Sequence, residues 1–170
     1  MAYSGKYHPI NPKKYKGDPS KVIYRSLWER KLMVYCDKTK SVLEWGSEEV
    51  IIPYVSPWDG KVHRYFPDFY MKVKQSSGKT KKFIIEVKPK YQCKPPVKTP
   101  KRKTKRWMSE VKTWVINEAK WKSANFFCEA NDMEFKILTE DHLNIKYCLL
   151  YTSDAADDLL CVDLGGRRII

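Results

Sequence analysis

The stretch Phe-Ile-Ile-Glu-Val-Lys at positions 83–88 constrains this chain more than any other. An unbroken run of bulky β-formers marks a strand bound for the core. A carboxylate and an ammonium then arrive two positions apart inside the same run. Side chains alternate across a strand, so Phe83, Ile85 and Val87 share the face that packs, while Ile84, Glu86 and Lys88 share the other. Glu86 and Lys88 therefore stand side by side, about 7 Å apart along the backbone, where the apolar run gives way to a loop.

The surrounding elements follow from local signals. In "YRSLWERKLMVYCDK", Leu27 or Trp28, Leu32, and Tyr35 or Cys36 recur at helical spacing. Ser26 and Glu29 form an S-x-x-E capping box, so a helix is expected from about Ser26 to Lys38. Residues 1–20 are polar and read as an arm, not an element. Strands are expected at "SEEVIIPYV", "VHRYFPDFYMKV" and "KFIIEVK", joined by turns at "SPWDGK" and "QSSGKTK" into a three-strand meander. Pro67 has no N–H to donate and implies an edge or bulge in the second strand. A long helical pattern runs from about Lys103 to Asn131, followed by a strand at "MEFKIL" and a short helix after Thr139. The order predicts a mixed α/β fold, one sheet flanked by helices.

If the second and third strands pair through "QSSGKT", Asp68 comes beside Glu86. Two convergent carboxylates repel unless protonated, paired with a base or bridged by a cation. Few hard oxygen ligands, leaving room for water, suit Mg²⁺ or Mn²⁺. A neighbouring lysine can then stabilise charge that develops on a phosphoryl group. Together these are the requirements of phosphodiester hydrolysis. The alternative is a surface Glu86–Lys88 pair on a hairpin rim.

Charge points to the same class of partner. The chain carries +13. Residues 148–170, "CLLYTSDAADDLLCVDLGGRRII", abandon the lysine-rich style of the rest, and back-translation of "CLLYTSDAAD" and "CVDLGGRRII" resembles transposase-type sequencing adapters. Residues 147–170 are accordingly set aside as a non-native or disordered tail. Leaving positions 148–170 out, 31 basic and 16 acidic side chains give +15, which favours a polyanion, nucleic acid above all. Cys36, Cys93 and Cys128 form no C-x-x-C pair, so neither a zinc site nor a disulfide framework is suggested. No secretory signal or membrane-length apolar run is visible, and a reducing, cytosolic setting is expected.

The motif "FPDFYMKV…KKFIIEVK" resembles the P-D…(D/E)-x-K signature of restriction-endonuclease-like nucleases. "YRSLWE" followed by "LEWGSEEVIIPY" resembles the TnsA-type branch, in which a helical Glu joins the site. The series "MAYSGKY", "YKGDP", "YRSLWE", "VKPK", "PPVK", "KWKSA" and "FKILTED" is similar, in order, to the head-completion nucleases of myovirus-type tailed phages, over about residues 1–146. The resemblance implies a restriction-endonuclease-like core over 21–146, a divalent cation, and endonuclease action, with or without exonuclease action, on double-stranded DNA alongside phage head and neck proteins, in the host cytoplasm or on the virion. It also assigns roles. Asp68 and Glu86 hold the metal with the Val87 carbonyl as a third ligand, Lys88 positions the attacking water, and Glu29 is the helical acid. Glu29 as a helix cap alone is the competing reading.

Residues 88–106 hold nine Lys or Arg, four prolines and no acid, which predicts a basic loop. Arg64, Lys90, Lys94, Lys101, Arg102, Lys103, Lys105 and Arg106 are the expected DNA-backbone contacts, against a solvated charge run. His63 and Tyr65, with Arg64, also precede the site, either to touch phosphate or as groups on a solvated strand edge. Lys120 is placed near the cleft, and Trp121 in the core. Two other functions fit the same residues: a non-catalytic DNA-binding morphogenesis protein, and a TnsA-like transposition endonuclease.

Overall fold

A computed structural model describes residues 3–96 and 103–143. The tail beyond 146 and the expected DNA contacts Lys101 and Arg102 lie outside that range. In chain order the elements are β1 (Gly5–Lys6), β2 (Ile23–Tyr24), α1 (Leu27–Lys38), β3 (Val42–Ser47), β4 (Ile52–Val55), β5 (Val62–Tyr65), β6 (Phe69–Lys74), β7 (Thr80–Val87), α2 (Lys105–Ala130) and β8 (Met133–Leu138).

Four strands make the central sheet, in the order β3-β6-β7-β8. β6 is antiparallel to both β3 and β7, whereas β8 runs parallel to β7. A parallel neighbour needs a crossover, and α2 supplies it. The sheet is packed on both faces. Phe83, Ile85 and Val87 meet Leu32, Met33 and Cys36 of α1 together with Trp45. Ile84 joins Tyr54, Tyr65, Tyr70, Ala124 and Cys128 on the α2 face. Burial on both sides explains why the apolar run in β7 does not alternate. The mixed α/β architecture is therefore the expected one.

Several boundaries differ from the sequence reading. No single strand spans 47–55: the sheet takes Val42–Ser47, and a separate hairpin takes Ile52–Val55. Between them the chain bends at Glu48, which has a φ of 56°. "VHRYFPDFYMKV" is likewise two strands. β5 pairs with β4 in its own two-stranded sheet, and β6 enters the central one. The break falls at Phe66-Pro67-Asp68, where proline cannot sustain a ladder. The three-strand meander is thus a β4–β5 hairpin followed by a β6–β7 hairpin. Residues 140–143, expected to begin a helix, form turns.

The N-terminal segment is not a detached arm. Tyr7 and Tyr15 are buried against Trp45. The anchor is Asp37, fully buried near the end of α1. Its carboxylate accepts from Tyr7 O–H (2.9 Å), Ile10 N–H (2.7 Å) and Asn11 N–H (2.9 Å). Asp37→Ala leaves all three donors stranded. Urea titration is expected to show a stability loss of about 3 kcal/mol. An unchanged midpoint would mean that residues 7–15 contribute no anchoring.

Candidate active site

The site lies where β7 runs out. The β6/β7 ladder pairs Phe69 with Ile85, so the residue before β6, Asp68, is brought beside Glu86. The Val87 N–H donates to Asp68 Oδ2 at 2.7 Å. Glu86 is only 4% exposed. One of its oxygens accepts from Tyr65 O–H at 2.6 Å, and the other meets Lys88 Nζ at 3.1 Å.

Electrostatics follow from that crowding. Burial, and then the Glu86 carboxylate, push Asp68 up to about 8. The Val87 N–H and the Lys88 ammonium oppose the rise only in part. Lys88 moves the other way from a typical buried lysine. Burial disfavours its charge, but Glu86 and Asp68 outweigh burial and raise its pKa. Lys88 is therefore a cation at neutral pH and no general base.

Asp68, Glu86, Val87 and Lys88 are thus brought together. Glu29 is at the rim with its carboxylate engaged. Ser26 Oγ accepts from Glu29 N–H (3.1 Å), while the Glu29 carboxylate accepts from Ser26 O–H (2.9 Å) and Arg25 N–H (2.7 Å). Its charge still acts weakly on Asp68 and Lys88. Glu29→Gln separates the two roles, since glutamine also serves this cap. It is expected to melt with the parent and to cleave DNA on the order of 100-fold more slowly. Parent-like cleavage would remove Glu29 from the site.

Beside Glu29, Arg25 grips Glu48 through two hydrogen bonds of 3.0 and 2.8 Å. Glu48 in turn donates its N–H to the Asp68 carbonyl at 3.2 Å. This strap ties the bend after β3 to the bend before β6. The pair is far apart in sequence and carries no motif, so only the fold reveals it. Tyr65 is the other residue whose role was not read from sequence. Three positions before Asp68, it is a buried hydroxyl that holds Glu86, not a strand-edge group.

The expected DNA contacts diverge. Arg64 is exposed, its guanidinium 6.0 Å from the Phe66 ring centre. His63 is paired with Asp59 at 2.8 Å. Lys90 is taken by Asp141 at 2.6 Å. Lys94, Lys103 and Lys105 are exposed, and Arg106 pairs with Glu110 at 3.0 Å. Lys105 and Arg106 open α2, whose first turn contains no acid, so side-chain charge and helix dipole have the same sign there. Trp121 is buried as expected.

A divalent cation fits the donors. Among the described residues no three His, Cys, Asp or Glu side chains converge to hold a metal. The oxygen donors at hand are the Asp68 and Glu86 carboxylates, a sparse hard set that leaves positions for water, as Mg²⁺ prefers.

A mixed sheet between two helices, with P-D and E-V-K converging at the ends of its two central strands, defines a nuclease-type scaffold. The family described as TnsA-like endonuclease N terminal matches residues 39–140, and the chain belongs to it. The matched span includes Asp68, Glu86 and Lys88 but not Glu29. The head completion nuclease of Enterobacteria phage T4 is 47% identical over 146 residues, covering 84% of this chain and 95% of that protein.

Proposed function

We propose that this protein is a divalent-metal-dependent DNA nuclease acting in phage head completion within the infected host's cytoplasm, alongside head and neck proteins. The observation that carries the chemistry is the pairing of half-buried Asp68 with buried Glu86, with Lys88 at 3.1 Å from Glu86. The identity with the phage T4 protein supports the biological setting.

Asp68, Glu86 and the Val87 carbonyl would hold Mg²⁺ or Mn²⁺. An ion bound there would supply polarisation of the phosphodiester and a lowered pKa for water. Tyr65 fixes the rotamer of Glu86, and the Val87 N–H fixes Asp68, so both carboxylates are oriented before substrate arrives. The Lys88 ammonium orients the attacking water and neutralises charge that grows on the phosphoryl oxygens. The exposed Lys94, Lys103 and Lys105, with Arg64, Arg106 and the neighbouring Lys101 and Arg102, supply backbone contacts. Lys90, held by Asp141, must exchange partners to join them.

The direct test is nicking of supercoiled plasmid with Mg²⁺ or Mn²⁺ and its suppression by EDTA. Metal-independent cleavage, or none with either ion, would overturn the reading. For the DNA interface, the triple change Lys103→Ser, Lys105→Ser, Arg106→Ser is expected to flatten the dependence of log Kobs on log[salt] by about 2 to 3, one contact per lost counterion. An unchanged slope would show that the start of α2 is merely solvated.

A further inference from the structure

Lys120 is the one lysine of α2 whose setting the proposed mechanism leaves unexplained. It is half-buried, and among the described residues it has no hydrogen bond and no ion pair. Its neighbours on the helix are accounted for: Lys122 pairs with Glu118 at 3.1 Å, and Lys112 lies 4.3 Å from the Trp58 ring centre. The Lys120 ammonium instead sits between two aromatic rings, 5.7 Å from the centre of Tyr54 and 5.5 Å from that of Tyr65. Tyr65 is the residue whose hydroxyl holds Glu86 at 2.6 Å. One ring therefore links the α2 ammonium to the proposed metal-binding carboxylate.

An aromatic cradle attracts an ammonium without consuming its N–H donors. Burial disfavours the charge on Lys120, and Glu86 and Asp68 offset that only in part, while Lys88 adds to the cost. All three groups of the site are thus within electrostatic reach of Lys120. The position would be relieved by an anion entering between Lys88, just past β7, and Lys120 on α2.

We infer that Lys120 is a second phosphate-binding cation of this site, taking a non-bridging oxygen of the scissile phosphodiester from the α2 side while Lys88 serves the attacking water. The inference rests on the nuclease reading. A lysine that only covers the two tyrosines with its aliphatic stem is the competing explanation, and the two differ in what methionine can replace. Met keeps the apolar stem and loses the charge; Arg keeps the charge.

The experiment is single-turnover cleavage of a DNA duplex with Mg²⁺ by the full chain, Lys120→Met and Lys120→Arg, with melting temperatures and with Asp68→Asn as the inactive reference. Lys120→Met is expected to melt with the parent and to lose about 100-fold in the cleavage step. Its half-saturating DNA concentration should change little, and Lys120→Arg should recover much of the rate. Lys120→Met cutting within about twofold of the parent, while Asp68→Asn is inactive, would overturn the inference and leave the nuclease reading standing. Equal losses in Met and Arg with lowered melting temperatures would overturn it in favour of packing. A parent inactive with both Mg²⁺ and Mn²⁺ would overturn the nuclease reading itself.

Discussion

Asp68→Asn is expected to lower Mg²⁺-dependent DNA cleavage by about a thousandfold or more while leaving the fold intact and slightly more stable. Asparagine matches the shape of aspartate, and its carboxamide oxygen can still accept the Val87 N–H now donated at 2.7 Å. It removes one of two crowded carboxylates, so repulsion with Glu86 disappears along with the metal ligand. Metal-free DNA affinity should hold, because Asp68, raised to about 8, already carries little charge at neutral pH. Glu86→Gln should be equally inactive, with Tyr65 still donating to the amide oxygen and Lys88 left without its partner. Lys88→Ala differs in kind: both carboxylates remain, so Mg²⁺ should still raise its melting temperature while turnover is lost. A thermal shift by Mg²⁺ that persists in Asp68→Asn would remove Asp68 from the metal site. Cleavage within about tenfold of the parent would remove it from the chemistry.

These assignments were legible because the site is built at a strand end and on a ladder register. E-V-K announces itself by interrupting an apolar run, and P-D lies at a separation that a tight β6–β7 hairpin closes. The helix carrying Glu29 was equally readable from its capping box, which is why its chemistry was ambiguous from the start: the same carboxylate satisfies both descriptions. What stayed hidden depends on non-local packing. β3 was missed because its ladder shifts register between Val42 and Glu44, which spoils the alternation a strand otherwise shows. The break at Phe66-Pro67-Asp68 looked like a flaw inside one strand, whereas it hands the chain from an outlying hairpin to the central sheet. Tyr7 and Tyr15 sit in a polar, glycine- and proline-bearing segment. Nothing local says that a buried aspartate at position 37 gathers that segment. The place of Lys120 requires knowing that α2 crosses the sheet on the Ile84 side, over the hairpin tyrosines.

The same crowding that defines the site sets a pH dependence with a definite sign. Asp68 is raised, by burial first and Glu86 second, to about 8, and a cation needs its carboxylate ionised. Below that pH the ion must displace a proton, so Mg²⁺ or Mn²⁺ affinity should fall about tenfold per pH unit from about pH 8 down to about pH 6. Calorimetry at neutral pH in buffers of different ionisation enthalpy should register close to one proton released per ion bound. Stability of the metal-free protein runs oppositely. Between the ordinary aspartate range and about 8 the folded state holds a proton that the unfolded chain has released, so this group's stabilising contribution is lost as pH rises through that window. Lys88 does not titrate there, because Glu86 and Asp68 hold its pKa above the ordinary lysine value. Asp68→Asn should erase the slope specific to this group in both measurements, which isolates it from the background of other titrating side chains. Metal affinity that is flat across that range in the parent would mean that Asp68 is already ionised without the cation. The buried carboxylate pair would then be neutralised by the lysines alone.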